Sequence, residues 1–174
     1  MPAAGNSQRT EKNIVLIGMP GAGKSTVGIV LAKVLGYGFV DTDIVIQQAE
    51  AKSLSEIIRE NGVDGFRRVE EKHAAALALS RTVIATGGSV VYGDRAMAAL
   101  KSAGRVVFLD LSLPLLSRRL DDMDGRGVVR LPGQTLADLL AERLPLYRKW
   151  ADIRIPCDGL APEQVMNRIR DRLG

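Results

Sequence analysis

The sequence predicts an α/β protein in which a parallel sheet of about five strands carries helices on both faces. Two observations support this prediction. Short apolar runs that are typical of buried strands alternate with longer amphipathic segments along the chain, and there is no internal repeat. The first apolar run also passes through a glycine-rich loop directly into a helix. Strands are expected at 13–17, 39–40, 82–85, 106–109 and 152–155.

The first strand leads into the loop from Gly18 to Thr26, GMPGAGKST, which matches the pattern G-x-x-x-x-G-K-[ST]. In such a loop, glycines let backbone N–H groups approach a polyphosphate, and the helix expected over 26–35 adds its positive N-terminal end. Lys24 then reaches the β- and γ-phosphates, and the Ser25 hydroxyl ligates Mg²⁺. The sequence therefore predicts a P-loop NTPase-like fold that binds a nucleoside triphosphate through Gly21, Ala22, Gly23, Lys24, Ser25 and Thr26.

The second strand ends in Asp41-Thr42-Asp43, just before a helix expected over 44–51. Ligands bind outside the carboxyl ends of the strands in open α/β sheets, so these two carboxylates are candidates for the site. Asp41 and Asp43 point in differing directions from a strand end, which lets one serve a metal and the other a substrate. The alternative is a turn whose aspartate only caps the next helix.

The middle of the chain offers weaker signals. Ser53 to Glu56 is typical of a capping box, which starts a helix that ends near Asn61-Gly62. A longer helix over 64–79 places Arg67 and Glu70 on one face, a spacing that by itself indicates only a solvated surface pair. After the strand at 82–85, Gly87-Gly88 marks either a close backbone approach or a simple turn.

The C-terminal half continues the alternation. Helices are expected over 96–102, from Pro114 into Arg118 and Arg119, over 135–149 with a bend at Pro145, and over 162–173. Residues 121–133 have no clear periodicity and contain three glycines. A stretch of that length without regular structure in a compact domain is often functional, which predicts a mobile lid.

Composition limits the partners. The 174 residues suit one domain over 13–174, preceded by a disordered tail over 1–12. The net charge of +4 comes from scattered arginines, and aromatic residues make up only 4%, so we expect small anions as partners and no nucleic acid. No apolar stretch approaches a membrane span, and the single Cys157 fits a reducing compartment. We therefore expect a cytoplasmic protein with no membrane partner.

Together the motifs resemble those of the shikimate kinases. The P-loop, Asp41-Thr42-Asp43, Phe66 to Glu70, Gly87-Gly88 and Arg143 to Tyr147 occur in the order found in that family. The resemblance covers the chain from about Asn13 to its end. It implies ATP-dependent phosphorylation of the 3-hydroxyl of shikimate to shikimate 3-phosphate, with ADP as the other product, in aromatic amino acid biosynthesis. It also implies a monomer that uses ATP and Mg²⁺.

On the nucleotide side, the resemblance implies five roles. Lys24 stabilises the transferring phosphoryl group. Ser25 and Asp41 hold Mg²⁺, Asp41 through water. Arg119 covers the adenine, and Arg126 in the lid closes over the phosphates.

On the acceptor side, Asp43 is implied to orient the acceptor hydroxyl and accept its proton. Arg67 and Arg143 are implied to clamp the carboxylate, and Glu70 to hold Arg67 in place. Gly87 and Gly88 lend backbone to the acceptor pocket.

Two departures from the family pattern leave the acceptor open. Ser89 stands where the family usually has a third glycine, and Arg126-Gly127-Val128-Val129 stands where it usually has Arg-Pro-Leu-Leu, with Arg130 as a second candidate lid arginine. One alternative is a related kinase of another small hydroxylated acid or of an amino alcohol such as homoserine. Another is a nucleotide-binding regulatory protein without transfer activity, although the presence of Lys24 and Asp43 disfavours it.

Overall fold

The computed structural model describes residues 12–121 and 128–174. The strands of this part of the chain form one parallel sheet in the order β2-β3-β1-β4-β5. They span β1 Asn13–Ile17, β2 Gly38–Asp41, β3 Thr82–Ala85, β4 Gly104–Asp110 and β5 Ile153–Pro156. The predicted parallel α/β sheet is confirmed.

The helices lie on both faces of this sheet. The connection from β1 to β2 runs in the opposite direction to those from β2 to β3, β3 to β4 and β4 to β5. Since such crossovers are right-handed, this reversal puts the first helix on one face and the next five on the other. The helices span α1 Lys24–Leu35, α2 Thr42–Glu50, α3 Leu54–Ala75, α4 Asp94–Ala103, α5 Leu113–Asp121, α6 Leu136–Trp150 and α7 Pro162–Leu173. The last helix, α7, packs against α1.

The central strand β1 is buried along its whole length. Val15 pairs with Ile84 of β3 on one side and with Val106 of β4 on the other. A strand with helices over both faces is buried on each, which is why β1 is continuously apolar after Asn13 and shows no alternation. The rigid centre of the sheet therefore ends directly in the P-loop.

The sequence predicted the start of α3 correctly and its end wrongly, and it predicted a helix end near Gly62 where α3 continues through a kink. Ser53 Oγ accepts from the Glu56 backbone, and Glu56 Oε2 accepts from the Ser53 backbone at 2.8 Å, as a capping box requires. The break predicted near Gly62 is a kink, where Gly62 has φ 69°. The helix expected to reach residue 79 ends at Ala75, and Leu77, beyond this end, packs against the core.

Some predictions fall outside the described residues. These are the tail as far as residue 11, residues 122–127 of the predicted lid, and with them Arg126. The described part of that segment, 128–133, has no helix or strand, as expected. Among the residues that the structure describes, no helix is long and apolar enough to cross a membrane.

Candidate active site

The predicted motifs meet at one edge of the sheet. Strands β2, β3 and β1 are neighbours and parallel, so their carboxyl ends lie side by side. The P-loop follows β1, Asp41 ends β2, and Gly87 lies two residues after the end of β3. This edge opens into a cavity of about 810 Å³.

Lys24 is the buried cation at the centre of this edge. Its Nζ donates to the carbonyl oxygens of Gly18 and Met19, each at 2.8 Å. Burial lowers the pKa of Lys24 to about 8, an effect that the nearby Asp43 partly opposes. Because that value lies above neutral pH, the side chain is still mainly charged there. The loop thus holds a desolvated positive charge, which interacts with an anion more strongly than a solvated one.

Asp41, at the end of β2, and Asp43, at the start of α2, have different environments. Asp41 Oδ1 caps α2 by accepting from the Asp43 backbone at 2.9 Å, and its Oδ2 accepts from Ser25 Oγ at 2.6 Å. Asp41 therefore caps α2, as the alternative reading predicted, and it also lines the cavity. Burial, and then the charge of Asp41, raise the pKa of Asp43 above its ordinary value. A carboxylate with a raised pKa is a better proton acceptor.

The pair of Ser25 and Asp41 fits Mg²⁺. A hydroxyl and a carboxylate are hard oxygen ligands, and both side chains line the cavity. No group of three or more His, Cys, Asp or Glu residues that could hold a metal occurs in the described ranges. Such a site suits an ion that takes most of its ligands from phosphates and water, as Mg²⁺ does.

The Gly87-Gly88 turn is a close backbone approach. A side chain at Gly87 would overlap with the Glu70 carboxylate, and a Cβ at Gly88 would lie 2.8 Å from Pro20 Cδ and 3.0 Å from Arg143 Nη1. The Gly87 amide donates to Thr42 Oγ1 at 3.0 Å, and Tyr147 donates to the Gly88 carbonyl at 2.7 Å. The turn is therefore packed against the P-loop and against Glu70 and Arg143, which line the cavity.

Arg143 and Arg67 both lie near the ring of Tyr92. Arg143 is fully buried and donates through Nη2 to the Val129 carbonyl at 2.6 Å. The Arg67 guanidinium carbon lies 3.7 Å from the centroid of the Tyr92 ring, and Arg67 Nη2 lies 3.7 Å from Glu142 Oε1. Arg67 Nε is buried without a hydrogen-bond partner.

Most of the predicted site residues line the cavity. They are Gly21, Gly23, Lys24, Ser25, Thr26, Asp41, Asp43, Glu70, Gly87, Gly88, Arg119 and Arg143. Arg119 Nη1 donates to the Gly21 carbonyl at 3.0 Å, which places it across the P-loop. Among the described residues, two predicted site residues do not line the cavity: Ala22, which is buried within the P-loop, and Arg67.

Comparison with known proteins shows which family this chain belongs to. The shikimate kinase family profile matches residues 20–174. The chain belongs to the shikimate kinase family. A shikimate kinase of Thermodesulfovibrio yellowstonii is 42% identical over 161 residues, which cover 91% of this chain and 92% of that relative.

Solved shikimate kinases also share the fold. The Acinetobacter baumannii enzyme, solved in complex with shikimate, matches with a TM-score of 0.88 and 33% identity over 96% of this chain and 95% of that one. The Aquifex aeolicus enzyme matches with a TM-score of 0.74 and 30% identity, covering 92% and 95%.

The departure from the shikimate kinase pattern at Ser89 has a partner within the site. Ser89 is buried, and its hydroxyl donates to Glu70 Oε2. Glu70 was expected to hold Arg67, but among the described residues no ion pair joins the two. Arg67 instead forms ion pairs with Asp64 and Glu142. The serine hydroxyl is therefore directed at Glu70, and both residues line the cavity.

Glu70 makes the stability of this shikimate kinase family member depend on pH. Burial raises its pKa from 4.5 to about 7, and its Oε1 has no hydrogen-bond partner. The folded state then binds the proton more tightly than the unfolded chain, so the free energy of unfolding falls as pH rises from 4.5 to about 7. The loss amounts to about 3 kcal/mol, at roughly 1.4 kcal/mol per pKa unit.

Glu70→Gln is expected to remove this dependence. The variant should gain stability relative to the wild type at pH 8 and much less at pH 4.5, as measured by urea denaturation at both pH values. Glu163→Gln, which removes an exposed carboxylate from α7, controls for the loss of a charge. A Glu70→Gln difference that is the same at both pH values would contradict the buried, raised-pKa carboxyl.

Sequence reasoning missed Thr42, Tyr92 and Glu142. Thr42 lies between the two aspartates, yet its hydroxyl holds Gly87 across the sheet. Tyr92 donates to Glu142, and the pair contacts the arginines of the acceptor side. Glu142 precedes Arg143 directly, which was the one available signal for it. The others make contacts that only the folded chain brings together.

Proposed function

We propose that this protein transfers the γ-phosphoryl group of ATP to the 3-hydroxyl of shikimate, giving shikimate 3-phosphate and ADP in aromatic amino acid biosynthesis. One observation carries the proposal beyond family membership. A single cavity joins a P-loop to the buried Arg143, with the raised-pKa Asp43 among its lining residues. Such a cavity can hold a polyphosphate and a small acidic alcohol in contact with each other.

On the nucleotide side, we assign the phosphates to the P-loop amides and to Lys24. The γ-phosphorus is attacked by the acceptor oxygen while its bond to the β,γ-bridging oxygen breaks, and Lys24 neutralises the charge that develops. Arg119, which lies across the P-loop, is assigned to the adenine. Arg126, outside the described residues, remains the predicted arginine of the transferring phosphate.

Mg²⁺ is assigned to Ser25 and Asp41. When bound, the ion neutralises phosphate charge during transfer. The Ser25 hydroxyl would hold the ion directly and the Asp41 carboxylate would hold it through water; the two side chains are hydrogen-bonded to each other at 2.6 Å.

On the acceptor side, Asp43 is assigned to take the proton of the attacking hydroxyl, which its raised pKa favours. Arg143 and Arg67 are assigned to the carboxylate, since planar guanidinium groups form paired hydrogen bonds with it. Gly87 and Gly88 let the acceptor ring approach the backbone, and Glu70 shapes the floor of the same pocket.

Removing Arg67 is expected to weaken acceptor binding. Arg67→Ala should raise the KM for shikimate and lower kcat/KM by about one to two decades, the equivalent of about 1.5–3 kcal/mol for a charged hydrogen bond. The KM for ATP should change little. Arg68→Ala is the matched control, because Arg68 is the exposed neighbour on the same helix. Equal KM values for the two variants would show that Arg67 is only a surface charge.

The substrate assignment is tested by ADP release over a panel of acceptors. We expect rapid ADP release with shikimate and little with homoserine, another small hydroxylated acid or no acceptor. Faster turnover of one of the other acceptors would replace shikimate in the assignment. Absence of acceptor-dependent ADP release from a folded, ATP-binding protein would instead support a regulatory nucleotide-binding role.

The oligomeric state and location complete the proposal. The family resemblance supports a monomer. The single cysteine, Cys157, is buried and free, which supports a reducing compartment such as the cytoplasm. Light scattering at assay concentration would test the monomer directly.

A further inference from the structure

Tyr92 contacts both arginines that are assigned to the acceptor carboxylate. It ends the 3₁₀ turn Val90–Tyr92, which directly follows Ser89. The guanidinium carbon of Arg67 lies 3.7 Å from the centroid of its ring, and that of Arg143 lies 5.5 Å away. A guanidinium within about 6 Å of an aromatic centroid is attracted by the negative face of the ring. The ring of Tyr92 thus lies within cation–π distance of both guanidinium groups.

The hydroxyl of Tyr92 extends this contact. It donates to Glu142 Oε1 and accepts from Arg143 Nε at 3.4 Å. The same Glu142 oxygen lies 3.7 Å from Arg67 Nη2. The hydrogen bond from Tyr92 is the largest cause of the lowered pKa of Glu142, which keeps this carboxylate charged between the arginines. The Tyr92 ring and the Glu142 carboxylate together form a support, which contacts the guanidinium groups of Arg67 and Arg143.

The support is itself anchored. Glu142 Oε2 accepts from Gln134 Nε2 at 2.7 Å, and Gln134 Oε1 accepts from the Leu131 backbone at 3.1 Å. Tyr92 is in turn fixed by the turn after β3, whose Val90 and Val91 are buried in the core. Its position is therefore set by the rigid sheet.

We propose that Tyr92 is a positioning residue that holds Arg67 beside Arg143, so that both can contact the same acceptor carboxylate. This inference rests on the proposed function, in which the two arginines bind that carboxylate. Two like charges repel, and a long arginine side chain loses rotamer freedom when an anion orders it. A ring that already holds the guanidinium removes part of both costs before the acceptor arrives.

The experiment compares Tyr92→Leu and Tyr92→Phe in the full-length protein, with steady-state KM and kcat for shikimate and for ATP. Tyr92→Leu is expected to raise the KM for shikimate about tenfold and to leave the KM for ATP within twofold. Tyr92→Phe keeps the ring and should stay within about threefold of the wild type. Tyr37→Leu is the matched control, because it removes a ring that contacts Arg81 away from the cavity.

The neutral amide of shikimate separates positioning from a general structural role. Tyr92→Leu should weaken its use by much less than it weakens the use of shikimate, because the amide carries no charge for the arginines to pair with. An unchanged shikimate KM in Tyr92→Leu, a loss in Tyr92→Phe as large as in Tyr92→Leu, or an equal loss with the amide would overturn the role of Tyr92. Failure of the wild type to phosphorylate shikimate at all would instead overturn the proposed function.

Discussion

Replacing Lys24 by methionine is expected to lower kcat by at least about 10³-fold. The lysine charge is buried, and nothing in the loop compensates for its loss when negative charge shifts during phosphoryl transfer. Methionine has a similar length and removes the charge without opening a large cavity. Single-turnover assays with saturating ATP and acceptor would separate this loss from weaker binding.

The fold of the Lys24→Met variant should survive. The substitution removes two hydrogen bonds to loop carbonyls, but it also removes a desolvated charge from the interior. Circular dichroism and thermal melting would check this. Lys33→Met, on the exposed last turn of the same helix, is the control and should retain wild-type kcat. Near-normal turnover by a folded Lys24→Met protein would contradict phosphoryl transfer at this loop.

Replacing Asp43 by asparagine is expected to lower kcat by about 10²- to 10⁴-fold, the range of general base catalysis. Asparagine keeps the size of the side chain but cannot accept the proton of the acceptor hydroxyl. The KM values should change less than kcat, because the carboxylate acts mainly in the transition state. Initial rates at several pH values, with both substrates saturating, would measure the effect.

Asp94→Asn is the control for this second substitution. Asp94 is exposed on α4 and pairs with Lys149, away from the cavity. Its variant should keep the wild-type rate. If Asp43→Asn raised only the KM for shikimate, Asp43 would orient the acceptor without taking its proton.

The sequence alone was sufficient for features that depend on neighbours in the chain. The P-loop and the capping box at Ser53 follow from residue types at short spacings, and the structure has them where they were expected. The helix end predicted near Gly62 is a kink within α3. The buried strand before the P-loop was recognised from its continuous apolar run. The parallel sheet followed from the alternation of elements, and in it Asp41 and Gly87 lie at the same edge because both are at the carboxyl ends of neighbouring parallel strands.

Only the tertiary structure decided which distant side chains meet. Arg67 and Glu70 lie on the same turn of α3. Because α3 packs against the turn after β3, Glu70 accepts a hydrogen bond from Ser89, whereas Arg67 contacts the ring of Tyr92. Nothing in the local sequence of Tyr92 or Thr42 distinguishes them from core or surface residues. Their partners come from other elements, and such contacts depend on strand order, helix packing and the absence of side chains at Gly87 and Gly88. Spacing along the chain defines an element, whereas the site depends on how the elements pack.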